Sequence, residues 1–407
     1  MKKGIIVTCL ARHQETKGGA FKLAGEFAAH LAGAGYRVHY VCGSTAPVAP
    51  EPLMEGGVKF WRYPFPKAAS PSWRNLTAHW SSTSAIIRNI VKQEKIEVIN
   101  GHTPVQYAAA VGAVSRGHQV PRLVYSVHSP FVEELRADWL GDDQPASSAL
   151  QRRFKQFIAL KLAAWIERRV YRVSHAIQTD SQFTADVISR SYPQEVGTKV
   201  RVVPGWVDLD RFRPTADRLR LRAQLGGPWD CPLPVFLSIR RLERRMGLDN
   251  LIAACRQLDQ EGFRFRLLLG GVGSMRAALE GQIRTAQLTG TVQLLGRVPD
   301  EQLPLAYAAA DCFVLPTRAL ECFGLIVLEA HAAGTPVIAT PVGAIPEVMG
   351  EFGREWLTVD DSPRAIVDKL RQFLRGQLIT DNSHLRRNAE RYQQEVVLAQ
   401  LASYVLG

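Results

Sequence analysis

Short apolar runs alternate along the chain with longer segments whose apolar residues recur at helical spacing. Six such runs occur in the first 205 residues: GIIVTCLA, YRVHYVCG, IEVINGH, RLVYSVHS, HAIQTDS and KVRVVPG. After Pro228 the alternation restarts with PVFLSIRRL, RFRLLLGG, VQLLG and CFVLPT. Strands that alternate with helices in this way predict parallel sheets built from βαβ units. The pattern therefore predicts an α/β protein with two doubly wound, Rossmann-like domains that face each other across a cleft.

The interruption in this alternation sets the expected domain boundary. A chain of 407 residues exceeds the size of a comfortable single core, so two domains are expected on length alone. We expect an amino-terminal domain over residues 1–205 and a carboxyl-terminal domain over residues 206–385. A final helical pattern predicts a helix over about 386–407 that packs back on the amino-terminal domain.

Two acids interrupt the apolar segment ECFGLIVLEAHAAGTPVIATP, residues 321–341. Carboxylates within a segment of this kind are costly unless something pairs with them. Glu321 follows the predicted strand CFVLPT, and Glu329 lies just over one turn into a helix that is expected to begin near Gly324. Ligands of doubly wound sheets bind at the carboxyl ends of the strands, which is where Glu321 falls.

The start of that predicted helix also suits an anion. The backbone N–H groups of Phe323, Gly324 and Leu325 open the helix and are free to bind phosphate. Two carboxylates that accept from sugar hydroxyls beside a diphosphate would suit a sugar nucleotide. The alternative interpretation is a pair of solvated acids that flank a helix.

Charge is distributed unevenly between the two predicted domains. Residues 1–205 contain 26 Lys and Arg against 15 Asp and Glu, whereas residues 206–407 contain 24 against 23. This asymmetry argues against an evenly basic nucleic-acid binder. The segment QRRFKQFIALKLAAWIERRVYR (151–172) is a basic helical pattern with apolar residues between the charges. Its apolar stripe either belongs to the core or contacts an anionic membrane that carries a lipid-linked acceptor.

The cysteines, the first residues and the lengths of the apolar stretches indicate where in the cell the protein is expected. Six scattered cysteines without a CxxC pair argue against a disulfide framework or a structural zinc site, and they suit a reducing cytoplasm. The start MKKGIIVTCLARH favours a first core strand over a signal peptide. No uncharged apolar stretch reaches the roughly 20 residues that span a bilayer. We therefore expect a cytoplasmic protein, with peripheral contact at the inner face of the membrane as the variant location.

Three other motifs point to other chemistry and carry little weight. GGVGSMR (270–276) begins like a dinucleotide fingerprint, but Arg276 stands where its last glycine belongs. Asp208-Leu209-Asp210 resembles a metal-binding DxD only superficially, so no metal ligand is predicted. A phosphorylase would need a Schiff-base lysine in the second domain, where Lys369 is the only lysine and lies in a terminal helical pattern.

The ordered motifs resemble those of a GT-B-fold, retaining glycosyltransferase of family 4. The family's E-x7-E signature matches Glu321 and Glu329. Four further segments are similar to the family in the same order, and the likeness covers nearly the whole chain: IERRVYRVSHAIQTDS (166–181), VVPGWVDLDRFRP (202–214), GRVPDEQLPLAYAAADCFVLPT (296–317) and GTPVIATPVGAIPE (334–347).

This resemblance implies roles for particular residues of the carboxyl-terminal domain. Glu329 would hold the ribose hydroxyls, and Glu321 would bond the 3- or 4-hydroxyl of the donor sugar. The backbone amides of Phe323, Gly324 and Leu325 would bind the sugar and the diphosphate. Val298 would meet the nucleobase through its backbone. Arg241, which directly follows an apolar strand, would clamp the diphosphate because guanidinium offers bidentate contacts to phosphate oxygens.

In the amino-terminal domain the resemblance implies two further elements. Gly18 and Gly19 match a glycine turn that approaches the phosphates, and glycine suits such a turn because it admits positive φ. His128, at the end of the strand in YSVHSP, matches a histidine near the donor C6 hydroxyl; its alternative role is structural. Catalytic residues are thus expected to be His128, Arg241 and Glu321.

The chain departs from the family pattern at three positions. Met246 stands where the family often has a lysine, Trp206 stands where small residues are usual, and Cys322 replaces a common glycine. One guanidinium leaves a diphosphate undercompensated. We therefore predict that Arg245 replaces the lysine and grips the phosphates together with Arg241; Arg240 is the next candidate.

The function that the resemblance implies is transfer of a hexose-type sugar from a nucleotide-diphosphate donor to an acceptor hydroxyl. The expected reaction retains the anomeric configuration, uses front-face attack, and needs neither a metal nor a cofactor; a UDP-sugar is the favoured donor. The sequence does not identify the acceptor, which is a small molecule, a glycan or a lipid-linked molecule. A sugar-nucleotide epimerase of the same fold and a non-catalytic nucleotide-sugar-binding protein remain as alternatives.

Overall fold

The computed structural model describes residues 2–16, 18–49, 51–65, 73–115, 120–139, 149–379 and 381–407. The contacts between Cα atoms divide the chain into two compact units. Unit 1 comprises the described residues of Met1–Glu133, Gln144–Gly205 and Glu395–Gly407, and unit 2 comprises those of Glu134–Asp143 and Trp206–Gln394. The main boundary falls after Gly205, at the position where the apolar pattern is interrupted.

Unit 1 contains an eight-stranded sheet in which β1 is central. Its strands are β1 (Gly4–Thr8), β2 (Arg37–Ser44), β3 (Leu53–Glu55), β4 (Val58–Pro64), β5 (Val98–Gly101), β6 (Arg122–Val127), β7 (Ala176–Thr179) and β8 (Val200–Val202). They are ordered β3-β4-β2-β1-β5-β6-β7-β8. Among the described strands of this sheet, the pair β3–β4 is antiparallel and the other pairs are parallel. The sequence pattern missed this short edge hairpin.

Helices pack around that sheet and complete a doubly wound unit. They are α1 (Gly19–Gly33), α2 (Trp73–Gln93), α3 (Pro104–Val114), α4 (Phe131–Asp138), α5 (Ala149–Val173), α6 (Gln182–Ser191), α7 (Pro193–Val196) and α16 (Gln394–Leu406). Helix α4 starts in unit 1 and ends in unit 2. The core between sheet and helices is aromatic as well as aliphatic, and Tyr107, Tyr125, Tyr171 and Tyr192 form successive ring contacts within it.

Unit 2 is a smaller doubly wound unit around a five-stranded parallel sheet. Its strands are β9 (Val235–Ile239), β10 (Arg266–Gly270), β11 (Val292–Gly296), β12 (Cys312–Leu315) and β13 (Val337–Ala339), ordered β11-β10-β9-β12-β13. Its helices are α8 (Arg218–Leu225), α9 (Leu248–Gln260), α10 (Arg276–Thr285), α11 (Leu303–Ala309), α12 (Leu325–Ala332), α13 (Ile345–Met349), α14 (Pro363–Leu374) and α15 (Asn382–Glu390). Strands β9, β10 and β12 are almost wholly buried, as expected for a parallel sheet covered on both faces.

The terminal helical pattern forms two helices instead of the one that the sequence predicts. Between α15 and α16 the chain pairs with Val207: the Val207 N–H donates to the Tyr392 carbonyl, and the Gln394 N–H donates to the Val207 carbonyl. These long-range bonds replace helical ones and interrupt the helix. As a result α15 belongs to unit 2, while the chain from Glu395 onwards belongs to unit 1.

Helix α16 is anchored to unit 1 by polar contacts. The Arg122 guanidinium donates to the Tyr404 and Val405 carbonyls, and the Tyr404 hydroxyl donates to the Lys199 and Ile177 carbonyls. Within the described ranges, no helix is long and apolar enough to cross a membrane.

Candidate functional site

The two acids of the E-x7-E signature lie in unit 2, Glu321 in the loop after β12 and Glu329 on α12. Helix α12 begins after Gly324, whose φ of 98° lies in the left-handed region that favours glycine. Glu329 is buried on α12 and accepts a hydrogen bond of 3.1 Å from the Tyr307 hydroxyl. Burial and the Glu329 carboxylate raise the pKa of Tyr307 well above its usual range, so this hydroxyl stays a donor. One oxygen of Glu329 is therefore oriented by a buried tyrosine.

Glu321 faces a buried arginine, Arg240, which the sequence pattern favours for phosphate binding only after Arg241 and Arg245. The Nη2 atom of Arg240 lies 3.1 Å from Glu321 Oε2, and its Nη1 donates to Thr317 Oγ1 at 2.8 Å. Burial lowers the pKa of Arg240, and the Glu321 carboxylate opposes that shift, which favours a charged pair. The Arg240 Nε–H is buried and has no acceptor among the described residues. A ligand oxygen would satisfy that donor.

Arg240 also occupies the space beside Met246. Its Nη2 lies 2.7 Å from the Met246 sulfur atom. A lysine at position 246 would bring its ammonium to the same neighbourhood. The guanidinium of Arg240 therefore supplies positive charge close to where the family's lysine is missing.

Arg245 has a different environment from the one that the phosphate prediction requires. Its Nε lies 3.1 Å from Asp138 Oδ1, and its Nη1 donates to the Leu320 carbonyl at 3.0 Å. Leu320 adopts a positive φ of 52°, which is unusual for a leucine. Because Arg245 grips the residue before Glu321, it holds the loop that carries this acid. Its role in phosphate binding stays a prediction.

The other predicted residues of unit 2 also lie at the carboxyl ends of strands. Arg241 directly follows Arg240 after β9, is exposed, and makes no hydrogen bond or ion pair with a described residue. Val298 follows β11 and lies against Gly270, the last residue of β10. Phe323 is buried and packs edge-on against Tyr392, whereas Leu325 is half-buried at the first turn of α12.

One very close contact between two loops, at Gly247 and Pro316, helps to position these residues. Gly247, with a φ of 72°, begins α9 directly after the arginine cluster. A Cβ atom at this position would lie 1.8 Å from the Pro316 carbonyl oxygen, so no other residue fits without a shift of the backbone. The contact joins the loop after β9 to the loop after β12, and these loops carry Arg240 and Glu321.

In unit 1, Gly18 and Gly19 form the start of α1. Gly18 has a φ of 171° and a ψ of 149°, which is extended backbone that any residue adopts. Gly18 therefore does not use the positive φ that glycine admits, and its role at the phosphates stays a prediction. A side chain there would meet the Phe21 ring, because a Cβ atom at Gly18 would lie 3.2 Å from the ring's Cδ2.

His128 follows β6 and takes part in a buried polar chain. Its Nδ1 lies 2.7 Å from Asp180 Oδ2, and its Nε2 lies 2.8 Å from Nδ1 of His102. The Nε2 of His102 lies 2.7 Å from the Asn100 side-chain oxygen. Asp180 also accepts from Gln178 at 2.9 Å. The chain connects the carboxyl ends of β5, β6 and β7.

Candidate metal ligands do not converge in the part of the chain that the structure describes, where no group of three His, Cys, Asp or Glu could hold a metal ion. Asp208 Oδ1 accepts the N–H groups of Asp210 and Arg211, which is a local turn. Lys369 donates to the Glu355 carbonyl. The six cysteines are free thiols.

The sequence did not identify Tyr307, His102 and Asp180 as site residues. It indicated Arg240 only as the next candidate for phosphate binding after Arg241 and Arg245. Each of these residues follows a strand or lies on a helix next to one, but none belongs to a recognisable spacing. His102 and Asp180 are the polar residues directly after two apolar strands, and this position is the signal that identifies them. Arg240 could not be separated from its three neighbouring arginines without the side-chain contacts.

Two family models together match most of the chain. The model described as Glycosyltransferase Family 4 matches residues 17–211, and the model described as Glycosyl transferases group 1 matches residues 228–394. The chain therefore belongs to the group 1 glycosyltransferases. This confirms the family that the ordered motifs indicate.

Curated relatives carry glycosyltransferase names. The chain is 34% identical over 216 residues to D-inositol 3-phosphate glycosyltransferase of Streptomyces avermitilis, covering 51% of this chain and 46% of that protein. It is 30% identical over 216 residues to the putative colanic acid biosynthesis glycosyltransferase WcaL of Escherichia coli K12, covering 50% of each. The chain thus spans about half the length of the curated relatives it matches.

Solved structures match over nearly the full length. Sucrose-phosphate synthase from Thermosynechococcus elongatus superposes with a TM-score of 0.80 at 20% identity, covering 99% of this chain and 98% of that one. Anabaena HepE in complex with UDP and glucose gives a TM-score of 0.71 at 18% identity, covering 98% of each chain. These likenesses confirm the GT-B fold.

Proposed function

We propose that this protein transfers a hexose-type sugar from a nucleoside diphosphate donor to an acceptor hydroxyl. The observation that carries the proposal is the ion pair of Arg240 with Glu321 at the carboxyl ends of β9 and β12, followed by the buried Glu329 on α12. The Glu321 carboxylate beside a buried guanidinium with an unsatisfied N–H, together with Glu329 on the following helix, provides acceptors for sugar hydroxyls and a hydrogen-bond donor for phosphate within one unit. Membership in the group 1 glycosyltransferases supports the same reaction class.

The donor proposed for this site is a UDP-sugar of the hexose type. Support comes from Anabaena HepE, a protein of the same fold whose structures contain UDP, UDP and glucose, or UDP-glucose. In this assignment Glu329 accepts from the ribose hydroxyls and Glu321 from the donor sugar. The backbone near Val298 contacts the base, and the amides of Phe323, Gly324 and Leu325 bind the sugar and the diphosphate. At the start of α1, Gly18 and Gly19 are also assigned to phosphate binding.

The proposed reaction is a front-face displacement that retains the anomeric configuration. The bond between the anomeric carbon and the phosphate oxygen breaks, and the acceptor oxygen forms a bond to the same face of that carbon. The acceptor proton passes to the departing phosphate, so the products are a glycoside and a nucleoside diphosphate. The protein contributes orientation and charge stabilisation. Arg241 and Arg240 are the guanidinium groups assigned to the negative charge that develops on the leaving group.

The test combines donor binding, turnover and product analysis. We expect a UDP-hexose to raise the melting temperature of the full chain. We also expect release of the nucleotide to require an acceptor, which a panel of candidate acceptors would identify. Nuclear magnetic resonance of the product should show the donor's anomeric configuration, and activity should persist in excess EDTA. Conversion of the donor without an acceptor would identify an epimerase. Binding without any turnover across the panel would identify a binding protein, and loss of activity in EDTA would refute metal independence.

We further propose an anionic membrane surface as a partner of unit 1. On α5, the face with Ala163, Ile166 and Val170 is buried, but three aromatic residues are exposed by more than half. These are Phe154, Phe157 and Trp165. Lys161 lies over the Phe157 ring at 5.4 Å on the same exposed side. The interpretation of the apolar stripe as core alone is therefore incomplete. Exposed aromatic residues interleaved with cations are suited to lipid interfaces.

A further inference from the structure

The polar chain that includes His128 crosses three neighbouring strand ends of unit 1. From one end to the other it consists of Asp180, His128, His102 and Asn100, with atom separations of 2.7, 2.8 and 2.7 Å. Asn100, His102 and Asp180 are at least nine-tenths buried. Buried polar groups at these distances must each donate or accept a hydrogen bond, so the position of every proton along these four side chains can be assigned.

The orientation of the Asn100 side-chain amide determines the position of the first proton in this polar chain. Its side-chain nitrogen donates to the Val124 carbonyl at 3.3 Å and to Ser126 Oγ at 3.0 Å. A flipped amide would place its oxygen against the Val124 carbonyl oxygen, with no proton between the two acceptors. The Asn100 oxygen therefore faces His102 and must accept a proton from it.

His102 consequently carries its proton on Nε2. Burial holds the pKa of His102 well below its usual range, so this ring is neutral. A neutral imidazole has one N–H and one acceptor nitrogen. Since Nε2 donates to Asn100, Nδ1 of His102 is the acceptor and requires a donor from Nε2 of His128.

His128 must then donate from both of its nitrogens. Its Nε2 donates to His102, and its Nδ1 faces the Asp180 carboxylate at 2.7 Å. We propose that His128 is held as an imidazolium cation by two positioning residues, Asp180 as its counter-ion and His102 as its second acceptor. A neutral His128 beside an ionised Asp180 would leave two nitrogen lone pairs facing each other at 2.8 Å.

This assignment, which rests on the proposed glycosyl transfer, changes the role of His128 in that reaction. Both of its nitrogens are already bonded within unit 1, so His128 has no N–H left for a sugar hydroxyl in this arrangement. It acts as a fixed positive charge at the carboxyl end of β6, which favours an anionic ligand over a neutral one. Glu167 on α5, an acid that contacts the start of α4, accepts from the Phe131 N–H and from the Tyr171 and Tyr192 hydroxyls.

Nitrogen-15 spectra of the full chain with labelled histidine test the charge state without any donor. At about pH 7.5 we expect one histidine with imidazolium shifts at both nitrogens, lost in His128→Gln and converted to a neutral ring in Asp180→Asn. His331 is an internal reference for a neutral ring, because burial lowers its pKa to about 4. Neutral shifts for every histidine of the folded wild type at this pH would overturn the proposal.

The effect on the reaction is tested separately through the pH profile of kcat/KM. In Asp180→Asn, His128 loses its counter-ion, so its charged form should be less stable than in wild type. Because the charged ring is the active form, kcat/KM of Asp180→Asn should fall relative to wild type as pH rises from about 6 to about 8, by roughly tenfold or more. Parallel profiles for the two proteins would refute the reaction role. A wild type without turnover but with the imidazolium signal would instead refute only the proposed function.

Discussion

At the scale of single residues, Glu329 is the acid whose role is easiest to isolate. Its replacement by alanine should weaken nucleotide binding by about 10- to 100-fold, because a hydrogen bond to a charged group contributes about 1.5–3 kcal/mol. Isothermal titration with UDP would measure this change. Tyr307→Phe removes only the hydrogen bond that orients Glu329 and should weaken binding less than Glu329→Ala does. Unchanged affinity in Glu329→Ala would remove the ribose role, whereas Glu321→Ala should mainly lower turnover.

A second prediction at this scale separates the two arginines that could replace the missing lysine. Arg240→Met should lower kcat by about 10²- to 10³-fold, the usual effect of losing one charge-stabilising donor. Because Arg240 touches the Met246 side chain, adding Met246→Lys should restore part of this loss. Steady-state kinetics would measure both effects.

The matched variant is Arg245→Met, whose guanidinium is bonded to Asp138 and to the Leu320 carbonyl. Any loss that it causes through the Glu321 loop should not be restored by Met246→Lys. Rescue of Arg245→Met without rescue of Arg240→Met would instead support the prediction made from the sequence, in which Arg245 grips the phosphates. Arg244→Met should have only a mild effect in either case.

At the scale of secondary-structure elements, α12 and α15 are joined by a buried histidine. The Asn388 amide donates to Nδ1 of His331 at 3.0 Å and to the Val348 carbonyl at 2.9 Å. Burial lowers the pKa of His331 to about 4. The unfolded chain, with an ordinary value near 6.5, binds this proton more readily than the folded one. Stability from this residue is therefore present above about pH 6.5 and is lost as pH falls toward 4.

The expected loss is about 2 kcal/mol between pH 7 and pH 5 for this group alone. Urea unfolding of wild type and His331→Gln at both pH values would measure it, with the difference between the two proteins as the readout. The glutamine side chain retains an acceptor for Asn388 and cannot be protonated in this range. An equal change of unfolding free energy in both proteins would contradict the prediction.

At the scale of the whole molecule, the basic residues of the first 205 positions and the exposed aromatic residues of α5 point to the same partner. We expect the full chain to sediment with anionic phospholipid vesicles at moderate salt and less with neutral vesicles. Changing Phe154, Phe157 and Trp165 together to alanine should weaken sedimentation at least tenfold. Leu219→Ala with Leu305→Ala, which removes exposed apolar side chains from unit 2, is the matched control. Wild-type protein that stays wholly in the supernatant would end the membrane proposal.

The sequence by itself determined the features that depend on local spacing. The alternation of apolar runs with helical segments identified two doubly wound units and a boundary after Gly205, because strand and helix periodicity are properties of neighbouring residues. The positions of Glu321, Gly324 and Glu329 likewise set an acid in a loop and another on the helix that follows. Both acids lie in those elements in the structure.

Only the tertiary structure decided which side chains meet. Whether Arg240 or Arg245 faces Glu321 depends on partners 75 to 107 residues away, which no spacing within the cluster encodes. The helix break near Tyr392 likewise depends on pairing with Val207. The hydrogen-bonded side chains of Asn100, His102, His128 and Asp180 converge because the carboxyl ends of parallel strands lie at one edge of a sheet. Local pattern selects the elements, whereas burial and long-range hydrogen bonds assign each polar side chain its partner.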